Sequence, residues 1–167
     1  LNIATWDALA DHAAAGALVW VWPSSASGEA TWAALMRRAF ALDDWSIGWE
    51  AAQSQEGWSV TSEQTPGPLR LLSADYKMLL HPIRVWRRLP ISAPRAATWI
   101  SVSTVKQDEP LIVSAPHGLG QIIFSGIALD MDWTNLPAKP LFVPLLHETL
   151  RSAVGAQRGR RFQAVTG

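Results

Sequence analysis

The 167-residue chain has no cysteine. This excludes a disulfide framework, a thiolate nucleophile and any cysteine-based metal site, and it leaves the compartment open. Charge is scarce as well. Asp, Glu, Lys and Arg make up 17% of residues, against roughly 25% in an average soluble protein. The 14 basic residues balance the 14 acidic ones, so the chain lacks the basic footprint of a nucleic-acid binder. Arg158, Arg160 and Arg161 form the one local basic run, read as a solvated tail. No stretch reaches the ~18 apolar residues that would span a bilayer, so any membrane attachment is expected through segments outside this chain. The four histidines, at positions 12, 81, 117 and 147, are too scattered for a zinc spacing. There is no G-x-S-x-G elbow around Ser125 and no internal repeat. Neither an initiator Met nor a signal peptide opens the sequence, and Leu1 stands mid-pattern. The chain is therefore expected to be a piece of a longer protein, truncated at its amino-terminal strand.

What the chain does have is apolar bulk. Hydrophobic residues make up 49%, and ten of the 167 are Trp. Such a chain folds, and its Trp are expected in a core or at an interface, where each indole N–H needs a partner.

The periodicity places the elements. Thr5 is expected to cap a helix carrying Trp6, Leu9, Ala10 and Ala13, stopped at Gly16. Leu18 to Trp22 is a continuous apolar run closed by Pro23, as in a strand covered on both faces. Thr31 is expected to open a second helix with Trp32, Leu35, Met36, Ala39 and Phe40 inward. Trp45, Ile47 and Trp49, then Trp58 and Val60, alternate and predict a hairpin or two irregular strands about Gln55-Glu56-Gly57. Thr65 to Pro68 breaks the pattern, and Leu69 to Leu80 predicts a short helix. A strand over Trp99 to Val105 precedes a hairpin of Leu111 to Ser114 and Gln121 to Gly126. Gly118 and Gly120 are expected to supply positive φ in its turn. A last helix runs from Leu141 to Val154, with Pro144 in its first turn and Gly155 as its stop. The division is thus an α/β domain over 1–155 and a linker over 156–167.

Asp130 and Asp132 follow a strand, where ligands of open α/β sheets gather. They are read either as oxygen ligands of a divalent cation, with His147 or Glu148 added, or as caps of their own loop.

The pattern Pro110-Leu111-Ile112-Val113, Gly118-x-Gly120-Gln121-Ile122-Ile123-Phe124, Asp130-x-Asp132-Trp133-x-Asn135-Leu136-Pro137 and Lys139-Pro140-x-Phe142-Val143-Pro144-Leu145-x-His147-Glu148 resembles a specific family. It is similar to the carboxy-terminal region of BatA-type aerotolerance-regulator proteins with a von Willebrand factor A domain, bacterial proteins common in planctomycetes. The resemblance is strongest from about 108 to 155. It implies a three-layer, class I glutamine amidotransferase-like (flavodoxin-like) fold, with a mostly parallel sheet plus a β-hairpin. It also implies a membrane-anchored parent with this domain on the periplasmic side. In this reading the loop is structural: Trp133 tucks under it, Asn135 holds a turn, and Pro137 and Pro140 set the angle into the last helix.

A true amidotransferase needs a Cys nucleophile, so no catalytic residue carries over. The expectation is a non-catalytic interaction or assembly module, without cofactor or metal. Its partners would be other proteins or other domains of the same chain. Two alternatives are carried alongside it: a small-molecule or divalent-metal module on Asp130 and Asp132, and a hydrolase using Ser125 with a histidine.

Overall fold

The computed structural model describes residues 1–24, 29–52, 55–62, 76–105 and 107–166. Helix α1 (Ile3–Ala14) starts two residues before the expected Thr5. Its cap is Asn2, whose Oδ1 accepts the Thr5 N–H at 3.0 Å. The helix ends in a Schellman motif: the Gly16 N–H donates to Ala13 O and the Ala17 N–H to His12 O, both at 2.9 Å. The reversal needs φ of +112° at Gly16, which only a residue without Cβ adopts cheaply.

Strand β1 (Leu18–Val21) follows, then α2 (Glu29–Ala39). The middle of the chain supplies β2 (Ser46–Ile47), β3 (Glu50–Ala51), β4 (Trp58–Thr61), α3 (Tyr76–Leu80), β5 (Arg84–Val85), β6 (Arg87–Arg88) and β7 (Ile91–Ser92). The last third supplies β8 (Ala97–Ser103), β9 (Asp108–His117), β10 (Gly120–Ser125) and α4 (Phe142–Thr166). The expected breaker at 65–68 and the first part of the expected helix over 69–80 lie outside the described residues.

Six strands form one sheet in the order β1-β10-β9-β8-β4-β5. The sheet is α/β as expected, but the expectation of a mostly parallel sheet needs correction. β1 and β10 run parallel, whereas β10–β9, β9–β8, β8–β4 and β4–β5 are antiparallel. For β8–β9 and β9–β10 the cause is connection length, because a parallel crossover needs about a dozen residues or more. Only four residues, Thr104 to Gln107, separate β8 from β9, and only Gly118 and Leu119 separate β9 from β10. The latter is the expected hairpin, with φ of +57° at Gly118. Gly120 has a different reason to be glycine: a Cβ there would lie 2.2 Å from both Ala13 O and Ala17 O.

The Trp45–Val60 stretch does not close on itself as a hairpin. Instead β2 pairs with β7, β3 with β6, and β4 with β5 and β8. Long-range partners with better burial win over the local turn.

Two cores flank the sheet, giving three layers. On one face α1 and α2 bring Trp6, Ala10, Ala13, Met36 and Phe40 onto Val19, Val21, Ile122 and Phe124. On the other face Leu80, Leu136, Leu141 and Leu145 pack on Ile100, Val102, Ile112 and Ile123. Alternation along each strand distributes side chains between the two. Helix α4 does not stop at Gly155 but runs on to Thr166. Its two interior glycines, Gly155 and Gly159, cost about 1 kcal/mol each, and the Ala, Gln and Arg around them favour helix.

Candidate functional site

The loop after β10 holds most of the residues singled out in the sequence, and it works as a latch. Asp130 Oδ1 accepts the Asp132 N–H at 2.9 Å, and Asp130 O accepts the N–H groups of Trp133 and Thr134 at 2.9 and 3.0 Å. Asp130 is therefore committed to its own turn, while the Asp132 side chain is exposed. Trp133 is buried in the core cluster that also holds Trp45, Leu89 and Ile91, with its ring edge-on to Trp49 at 4.9 Å. Its carbonyl accepts the Trp86 N–H at 2.7 Å. Asn135 reaches in both directions: Oδ1 accepts the Arg84 N–H at 2.7 Å and Nδ2 donates to Pro82 O at 3.1 Å. Thr134 Oγ1 donates to Arg84 O at 2.8 Å. Together these bonds fasten the segment before α4 to the irregular middle of the chain. Pro137 occupies the first turn of the 3-10 helix Leu136–Ala138 that leads into α4.

His147 is not brought into this cluster by any bond. Its ring is 71% exposed on α4, with Nδ1 3.3 Å from Glu148 Oε1. Among the described residues no three metal-ligating side chains converge.

Ser125 is fully out of solvent, and its Oγ accepts the Trp20 indole N–H at 2.8 Å. No histidine bonds to it among the described residues. Another polar cluster is buried Arg88. It donates to Glu50 and, at 2.7 Å, to Glu109, and lies 5.0 Å from the Trp58 ring centroid. It fastens β3 to β9, and its charge is offset by the two carboxylates.

A groove that the sequence reading did not assemble lies at the opposite end of the sheet. It encloses about 620 Å³ and is lined by Leu18 through Ser24 in unbroken succession, with Leu1, Trp6, Leu9 and Trp32. Trp6 stacks on Trp32 at 6.4 Å, and Trp20 on Trp22 at 4.9 Å. Among the described residues no charged side chain lines it. β1 is the terminal strand of the sheet, and among the described residues no strand pairs with its outer edge. The signal in the sequence was a Trp-rich strand without charge, but only the sheet order shows that this strand is an edge.

No protein-family model matches this sequence, and no curated protein matches it. Among solved structures, the chain resembles part of the β-galactosidase from Bacillus circulans sp. alkalophilus, with a TM-score of 0.53 and 12% identity over 91% of this chain. The cold-adapted β-galactosidase from Rahnella sp. R3 gives a TM-score of 0.50 and 12% identity over 77% of this chain. The chain spans 20% and 19% of those two chains, respectively. At such identity the likeness concerns the fold.

Proposed function

We propose that this chain is a non-catalytic, class I amidotransferase-like domain that serves as an interaction module in a larger, membrane-anchored bacterial protein, facing the periplasm. The observation that carries the interaction reading is the Trp-walled groove along the edge of β1, where among the described residues neither a charged side chain nor a further strand lies. Aromatic, weakly charged concavities are what partner segments bury against. The three-layer arrangement supports the amidotransferase-like assignment, as does the terminal sequence pattern from Pro110 to Glu148. The lack of any Cys, and the engagement of Ser125 by Trp20, support the non-catalytic reading. Asp130, Trp133 and Asn135 belong to the fold in this reading. Membrane attachment lies outside the chain, since among the described residues no helix is long and apolar enough to cross a bilayer.

The test is site-specific photo-crosslinking in the parent protein. A benzophenone side chain at Trp22 is expected to capture a discrete partner or another domain, and one at exposed Glu56 to capture none. Equal labelling from both positions would sink the interaction reading. So would ester, amide or glycoside hydrolysis by the purified chain that Ser125→Ala abolishes.

A further inference from the structure

We infer that helix α4 binds the surface of an anionic lipid bilayer, lying along it rather than crossing it. This goes beyond the interaction reading and does not rest on it, since α4 supplies no residue to the groove.

The first argument is how little of α4 the fold covers. Leu141, just before the helix, and Leu145 and Thr149 within it are buried. Beyond Thr149 none of the described side chains of α4 is buried. The helix nevertheless continues to Thr166, about 25 Å further at ~1.5 Å per residue. Helices in proteins are held mostly by packing one face, so this stretch calls for a surface beyond the described core.

The second argument is an exposed apolar stripe. Val143, Leu150 and Val154 are 71%, 61% and 49% exposed. Their spacing puts them on one side of the helix, with half-buried Leu146 between the first two. A contiguous apolar face in water marks a protein or membrane contact.

The third argument is charge, and it selects the occupant. All 14 acidic residues lie before Leu150, while Leu150 to Thr166 contains Arg151, Arg158, Arg160 and Arg161. Glu148 is the one acid of α4. Its side chain is only 12% exposed, with Oε1 3.7 Å from Arg151 Nη1. Arg151 is itself 70% exposed. It stands next to Leu150 and one turn before Val154, so a cation borders the apolar stripe. Interfacial helices share this pattern. Apolar side chains enter the acyl boundary, arginine stems lie along it and the guanidinium groups reach the phosphates. A second copy of α4 would set arginine against arginine, which like-charge repulsion opposes. Among the described residues no helix is long and apolar enough to cross a membrane, so the contact is peripheral and separate from any anchor.

The test uses the 167-residue chain, whose lack of cysteine makes a single introduced thiol unique. Leu150→Cys and Ser152→Cys each carry an environment-sensitive fluorophore. Ser152 is exposed and lies about 200° around the helix from Leu150. Vesicles are made of phosphatidylcholine alone or of equal parts phosphatidylcholine and phosphatidylglycerol. The chain is expected to float with the anionic vesicles at least tenfold more tightly than with the neutral ones. The label at position 150 is expected to brighten and shift to the blue, and the label at 152 to stay nearly unchanged. Raising salt from about 0.1 to 1 M cuts the Debye length from ~10 to ~3 Å and is expected to release the chain. Arg158→Gln, Arg160→Gln and Arg161→Gln combined are expected to weaken binding at least tenfold, since each basic residue near an anionic surface adds its own share. Leu150→Glu is expected to do the same, both variants keeping the wild-type circular dichroism spectrum.

No flotation at millimolar anionic lipid overturns the inference, as does equal binding to neutral vesicles or an equal response from the two labels. Binding to a short DNA duplex as tight as to the anionic vesicles overturns it too, because the arginines alone would then carry the attraction. A response at position 150 that grows with protein concentration in the absence of vesicles assigns the stripe to a second copy and overturns it as well. None of these outcomes bears on crosslinking from Trp22, so the groove reading stands or falls separately.

Discussion

The side-chain carbonyl of Asn135 accepts the backbone N–H of Arg84 at 2.7 Å across 51 positions of sequence. Its amide nitrogen donates to Pro82 O at the same time. One side chain thus satisfies two main-chain groups at the entry to β5. Asn135→Ala leaves the Arg84 N–H unpaired and is expected to lower stability by about 1–3 kcal/mol. Urea unfolding measures it. Asn135→Asp keeps the acceptor and loses the donor, so its cost should fall between those of wild type and Asn135→Ala.

The acidic pair should separate cleanly by mutation. Asp130 caps its own turn, and Asp130→Ala is expected to cost roughly 1 kcal/mol, as loss of a comparable cap does at a helix end. Asp132 is exposed, and Asp132→Ala should stay within about 0.5 kcal/mol of wild type. Thermal melts of both variants, with and without millimolar Ca²⁺ or Mg²⁺, are the check. A cation-dependent rise in Tm that both substitutions remove would restore the cation-binding reading.

Gly120 is fixed by steric contact. Its Cβ position collides with two carbonyl oxygens at 2.2 Å, and backbone cannot swing away as a side chain can. Gly120→Ala is expected to cost about 3 kcal/mol or more, the upper end for overpacking. The control is Gly48→Ala, whose nearest atom would be 3.8 Å away and whose effect should be within about 0.5 kcal/mol. Chemical denaturation of the two variants side by side decides it.

The Trp20–Ser125 bond predicts an asymmetry. Trp20→Phe leaves the fully buried Ser125 hydroxyl without its donor and should cost about 1–3 kcal/mol. In Ser125→Ala the partner left behind belongs to Trp20, which is only half-buried, so the loss should be smaller. A double variant no worse than Trp20→Phe alone would show that the two residues act as a pair. Additive losses would sink this account.

Part of the candidate site was legible in the sequence. Asp130, Trp133 and Asn135 stand out as residues of a structured loop, because acid-x-acid, Trp and Asn before a proline have local turn chemistry. Their distant partners, Arg84, Pro82 and Trp86, were not legible, since no local rule pairs positions about 50 apart. Nothing local in the sequence marks Arg88, and only the sheet arrangement buries it between two glutamates. The groove was hidden for the same reason: Trp6, Trp22 and Trp32 are unremarkable as separate core candidates.

The sequence by itself determined the local elements: α1 with its glycine stop, the apolar strand β1, the Gly118 hairpin and the start of α4. Each rests on short-range physics: capping, alternation, positive φ and the missing N–H of proline. It also determined that no thiolate chemistry is possible. The tertiary structure alone decided strand order and direction, the dispersal of the Trp45–Val60 strands among distant partners, and the position of β1 at the rim. These depend on which long-range pairings bury the most apolar surface while satisfying the backbone. That sum runs over the whole chain, and no window of sequence contains it.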